Sequence, residues 1–213
     1  MKNTLFLLGL ILLTIPAMSQ GKKYVKAMEA ALEKMDETSD PETALEIAAS
    51  FEGIAEDYPD QWLPSYHASL ILISRSFDMS DTDRRDLILE RAGKNLDHAR
   101  ELAPDESEVE VLKAFYYIGL ISIDPDSRGP VYYQDAMDGI QKGLELNPEN
   151  PRAHYMNAMW MLNTPDFMGG GPEAAKPLFL EAREKFENFK NDDPFWPSWG
   201  EEQNQAELDR MDE

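Results

Sequence analysis

From Ala136 to Trp160 the chain reads AMDGIQKGLELNPENPRAHYMNAMW: the end of one helix, a tight Asn-Pro-Glu-Asn-Pro turn and the start of the next. Small or apolar residues stand at Ala136, Ile140 and Gly143, followed by Pro148. The same spacing occurs earlier as Ala92, Leu96, Ala99 and Pro104, and all four positions are offset by 44 residues. A constant period of this length marks a fold built by stacking one supersecondary unit on the next. One helix pair cannot bury its own apolar face, so its neighbours supply the core. The expected fold is therefore all-α: about four antiparallel helix pairs with a terminal cap. No segment shows the alternation of a half-buried strand.

The first residues form a class of their own. Lys2 precedes the apolar run LFLLGLILLTI, and Ala17-Met18-Ser19 offers small residues for cleavage. Residues 1–19 thus read as a secretory signal peptide cut near Ser19/Gln20. The run is short for a membrane span, so a retained anchor is the lesser alternative. The chain has no cysteine, which excludes a lipid-anchored form and any disulfide. The expected location is the periplasm or outside the cell, with no stable membrane insertion after cleavage. Without Lys2 the chain carries 19 Lys and Arg against 41 Asp and Glu, a net charge of −22. Such a surface repels phosphate backbones, so nucleic acid is a poor partner. The acids are spread along helices, as on a solvated outer face.

In chain order, Lys22–Glu37 makes a first helix. Asp40 caps a second, with Pro41 at its first position, and Pro59 stops it. Further helices are expected at 61–77, 84–102, 107–123, 132–146, 152–162, 173–189 and 201–211. Two longer connections interrupt them, 124–130 and 163–172. Residues 20–60 form an atypical first pair, 61–190 the repeats, and 191–213 an aromatic tail, DDPFWPSWG, with a short capping helix.

The repeat resembles the tetratricopeptide repeat. Ala92, Leu96, Ala99 and Pro104, then Ala136, Ile140, Gly143 and Pro148, then Ala175, Phe179 and Ala182 match that family's second-helix series. Ala114 and Ala158 fall where its first helix carries a small close-packing residue. The family period is 34 residues, and the excess here lies between the two helices of a pair, ten residues before Ala136 and five before Ala175. Both inserted loops should then emerge on one edge. The chain is also similar to a small group of exported bacterial proteins through Ser127-Arg128-Gly129, Thr164-Pro165, Gly169–Gly171 and Trp199-Gly200. The resemblance implies that first helices line a concave face, including Val111, Phe115 and Ile118 from one pair and Arg152, Tyr155 and Met159 from the next.

Chemistry-bearing motifs are sparse. Asp124-Pro-Asp-Ser-Arg-Gly-Pro-Val-Tyr-Tyr-Gln-Asp135 has acids at the first, third and twelfth positions of a calcium loop and glycine at the sixth. Arg128 stands where a ligand oxygen belongs, so the alternative is a capped turn, or a loop anchored by Arg128 pairing with a nearby acid. Gly169-Gly170-Gly171 could bring amides near a ligand but lacks a phosphate-loop Gly-Lys-Ser/Thr. His67, His98 and His154 have no metal-ligand spacing. No nucleophile elbow or paired acid stands out. The expectation is a noncatalytic scaffold for a protein or peptide partner, with no cofactor and no metal. The alternative is a small-molecule-binding accessory protein whose pocket is enclosed by the inserted loops, using Arg128, Tyr132, Tyr133 and Gly169–Gly171. The tail aromatics Phe195, Trp196 and Trp199 should cover the last pair or close one side of the groove.

Overall fold

The computed structural model describes residues 15–37 and 40–212. Among these residues there are nine α-helices, one turn of 3-10 helix and no strand. The helices are α1 (Ile15–Glu37), α2 (Pro41–Asp57), α3 (Trp62–Phe77), α4 (Thr82–Leu102), α5 (Ser107–Ile121), α6 (Pro125–Leu146), α7 (Pro151–Asn163), α8 (Pro172–Asn188) and α9 (Glu201–Met211). The tightest packing is within the consecutive pairs α3/α4, α5/α6 and α7/α8. Residues 1–14 of the expected leader lie outside the described residues, and α1 runs on through 15–21. No helix among the described residues is long and apolar enough to cross a membrane.

Helix starts follow from local chemistry. Asp40, Asp81, Asp124 and Asn150 each accept a backbone N–H of the first helical turn. Proline occupies an opening position of α2, α6, α7 and α8, where its missing N–H has no intrahelical use. The repeat positions are the core. Ala92, Leu96 and Ala99, then Ala136, Ile140 and Gly143, then Ala175, Phe179 and Ala182 are all buried. Gly139 shows why small residues are needed. A Cβ there would lie 2.9 Å from the amide N of Ala114 and 2.9 Å from the carbonyl O of Glu110. Only the absence of a side chain lets α6 lie against the α5 backbone.

α3 is the centre of the stack. Every residue from Leu63 to Ile73 is buried, because α2, α4, α5 and the tail cover all its sides. One apolar cluster joins α1 to the start of α5 and takes in Phe195; a second joins α5 to α9. Phe115 and Trp199 pack against both.

The expected 124–130 connection is not a loop. Residues 125–146 form one helix, with Asp124 as its cap and Pro130 inside it. Arg128 donates its amide to the Asp124 carbonyl at 2.8 Å, which starts the helical ladder. Pro130 leaves the Asp126 carbonyl without its usual intrahelical donor, but this position is near an exposed helix start where water replaces it. The calcium-loop spacing is thus carried by a helix start that cannot wrap a cation.

Candidate functional site

An apolar groove of about 1020 Å³ runs along the stack. It is floored by first helices and reaches from Met35, Ala44 and Ile47 on α1 and α2 to Met168 in the loop after α7. Its size is at the upper end for small-molecule sites, roughly 300–1000 Å³. The lining repeats with the chain: Ile71, Phe115 and Met159 are spaced by 44 residues, and so are Phe77, Ile121 and Pro165. Each repeat therefore delivers the same two positions to the groove.

One wall is a ladder of rings. Phe77 stacks on Phe115 at 5.5 Å between centroids, and Phe115 stacks on Trp199 at 5.7 Å. Tyr155 meets Trp199 edge-on at 6.2 Å. At the far end Tyr133 meets Trp160 edge-on at 5.0 Å. Burial pushes the Tyr155 phenol up to about 12, with the Glu207 charge adding to the effect, so it stays neutral. Four methionines, Met35, Met156, Met159 and Met168, add soft, adaptable surface.

The tail supplies Trp199, the ring that periodic sequence patterns cannot place. It crosses back over α3 instead of covering only the last pair. His67 bonds the Phe195 carbonyl at 2.8 Å, and Trp196 meets Trp62 edge-on at 5.5 Å. Trp199 donates its indole N–H to the Tyr66 hydroxyl at 2.9 Å. Tyr66 in turn reaches Glu108 at 3.4 Å, and Glu108 is bound by Arg152 with contacts of 2.7–2.9 Å. This buried relay fixes the orientation of Trp199 from behind the wall.

The groove divides the residues expected from sequence. Phe115, Tyr133, Tyr155 and Met159 line it. Arg152 does not: at 2% exposure it pairs with Glu108 at 1% and lies over the Phe189 ring at 5.0 Å, so its charge is consumed inside the fold. Arg128 also lies outside the lining, forked onto Asp86 at 2.6 and 2.7 Å. That pair holds the Asp86 carboxyl below its ordinary range, and it joins α4 to α6. Tyr132 packs against Tyr117 at 5.7 Å, outside the lining. Gly169, Gly170 and Gly171 offer no free amides. They donate to the carbonyls of Asp166, Pro165 and Met161, closing the loop on itself. Gly169 and Gly171 have φ of 88° and 92°, conformations that favour glycine. The loop's contribution to the groove is instead Thr164, Pro165 and Met168.

Sequence reasoning missed Arg75, Phe77 and the α1–α2 end of the groove. Ile71 and Phe77 were legible: they precede Phe115 and Ile121 by the same 44 residues. Arg75 has no such signal.

Among the described residues the lining contains no Asp, Glu, His or Cys, and Arg75 is its one charged residue. In a chain of 41 acids that is a sharp local reversal. The groove can enclose a large flat apolar molecule, with few polar groups to orient it.

No protein-family model matches the chain, and no curated protein sequence matches it. Among solved structures, the fold is similar to that of the HusA haemophore from Porphyromonas gingivalis. The two share 26% sequence identity and superpose with a TM-score of 0.78 over 88% of this chain and 92% of that one.

Proposed function

We propose that this chain is a noncatalytic, extracellular small-molecule carrier that takes a planar tetrapyrrole of the haem class into the groove. The observation that carries the reading is the aromatic and methionine lining, free of acids among the described residues, in a fold similar to a haemophore's. A porphyrin presents two broad apolar faces and an edge bearing acids. The Phe77–Phe115–Trp199 ladder and Tyr155 suit the faces. Recognition then rests on burying ring surface, at roughly 25 cal/mol per Å² removed from water. Among its described residues the lining offers phenols and thioethers, and no imidazole or thiolate, as groups that would face a bound tetrapyrrole.

The test is titration of the purified chain with haemin, followed by the Soret band and by quenching of tryptophan fluorescence, to which Trp160 and Trp199 in the lining should contribute. Saturable one-to-one binding is expected. Met159→Glu, which sets a carboxylate in the apolar lining, should weaken it at least about a hundredfold, the cost of burying an unpaired charge. No saturable Soret change, or full affinity in a folded Met159→Glu protein, would refute the reading.

A protein partner is the second reading. It is favoured by Phe167, 88% exposed, and Met168, 58% exposed, on the loop at the groove. Mild crosslinking in envelope extract, with Phe167→Ser as control, tests it. A stoichiometric partner lost in the control supports this reading, and a partner indifferent to Phe167 counts against it.

A further inference from the structure

The one cation among the described lining residues, Arg75, is held differently from its neighbours. Arg85 donates to the Ser122 carbonyl at 3.3 Å and hydroxyl at 2.6 Å. Arg128 is forked onto Asp86, and Arg152 onto buried Glu108. Each of these is committed to its own fold contacts. Arg75 makes one ion pair among the described residues, 3.0 Å to Asp78 three residues along the chain. Asp78 is 53% exposed and Arg75 28%. An i,i+3 pair so open to water is a weak holder. Asp78 can turn outward and be hydrated with little loss. The guanidinium, a planar fork of five N–H donors, then faces the groove with most of its capacity unused.

We propose that Arg75 is the carboxylate anchor of the groove: a ligand acid group replaces Asp78 on its fork, and the protein thereby selects free carboxylates over their esters. The proposal rests on the tetrapyrrole reading above. The surrounding charge makes it necessary. The whole chain carries a net −21, a field that disfavours an anionic ligand relative to a neutral one. With no acid among the described lining residues, Arg75 has to offset that remote field and the adjacent Asp78 carboxylate. Its position fits as well. It lies in the last turn of α3, two residues before Phe77, so an acid bound there belongs to a ring system lying along the Phe77–Phe115 stack. A structural explanation also exists, since a cation in the last turn complements the helix dipole. Lysine would serve that purpose equally, whereas it cannot reproduce a forked contact to carboxylate.

The experiment compares metal-free protoporphyrin IX with its dimethyl ester, by fluorescence titration of the whole chain and of the Arg75→Gln, Arg75→Lys and Asp78→Asn variants. The native chain should prefer the diacid by about tenfold or more, the range of a charge-assisted hydrogen bond. Arg75→Gln should lose that factor for the diacid and keep its ester affinity within about twofold, which removes the preference. Arg75→Lys should fall between the two. Asp78→Asn should raise diacid affinity, and this arm decides the matter if Arg75→Gln does not fold. Equal diacid-to-ester ratios in the native and Arg75→Gln chains overturn the proposal while leaving the tetrapyrrole reading intact. So does an Asp78→Asn ratio equal to the native one. Failure of either porphyrin to bind the native chain overturns both.

Discussion

Acid should loosen this fold through His67, by an amount that can be worked out. His67 is fully buried on α3, stacked on Phe51 at 5.1 Å. Its Nε2 lies 2.8 Å from the Phe195 carbonyl, which can only accept, so Nε2 carries the proton. Its Nδ1 has no hydrogen-bond partner among the described residues. Protonation would set a charge and a new donor in a site with nothing to receive them. Burial accordingly pulls the imidazole from 6.5 down to about 4, against smaller upward pulls from the Phe195 carbonyl and Asp193. The unfolded chain therefore binds the proton first. Stability is fully present above pH 6.5 and is lost as pH falls toward 4, by roughly 1.4 kcal/mol per unit. Over 2.5 units that is about 3 kcal/mol, a large share of a typical 5–15 kcal/mol. The perturbation is His67→Phe, which keeps a ring against Phe51 but cannot titrate. At pH 7 it should cost about 1–3 kcal/mol, because the Phe195 carbonyl loses its donor. Urea unfolding followed by circular dichroism at pH 7, 5.5 and 4 measures the difference. Acid also protonates the many carboxylates, but both proteins share that effect and it cancels. The native chain should lose about 3 kcal/mol more than the variant between pH 7 and pH 4, so the two curves converge and cross. Parallel curves would refute the reasoning.

Two further perturbations probe the scaffold behind the groove. Glu108→Gln leaves Arg152 charged, buried and without its counter-ion, so urea unfolding should show a loss of about 3–5 kcal/mol; a loss under 1 kcal/mol would mean that the pair is solvated. Gly139→Val pushes side-chain atoms against the α5 backbone at 2.9 Å, and should cost about 1–3 kcal/mol with a lower melting midpoint. An unchanged midpoint would contradict the close α5–α6 packing.

The fold was legible because its signals are periodic and local. Alanines and glycines at 44-residue intervals mark where helices touch, and an Asp or Asn before a proline marks where they begin. The same interval applied to the first helices yields Ile71, Phe115 and Met159, which line the groove. It also pairs Glu108 with Arg152, an acid and a base at one register on successive first helices. That pairing turns Arg152 from a candidate contact into an interior ion pair. What was illegible depends on contacts across the stack. Prolines at 125 and 130 read as a loop, yet the Asp124 cap tolerates the first and exposure the second. Three glycines read as free amides, until their own loop claims each one. Trp199 reaches the groove only because a nonperiodic tail reverses over α3, secured by a bond between residues 128 positions apart.

The charge distribution and the buried relay have one physical consequence in common. An acid distribution blind to place would put about five carboxylates among the lining residues; among the described ones there are none. Apart from buried Glu108 and Glu110, most acids lie on outer faces, where water and salt screen them. Inside, polar groups are withheld from the groove by being satisfied behind it: the Trp199 indole N–H by Tyr66, and Tyr66 by Glu108. A ligand entering the groove thus meets a Trp199 whose donor is already occupied. It gains ring contact without first breaking that hydrogen bond. Rigid rings with occupied polar edges favour flat apolar molecules of many shapes, so this wall confers affinity more readily than discrimination. Discrimination must come from the few groups whose hydrogen-bonding capacity is still open, and at the α3 end of the ladder that group is Arg75.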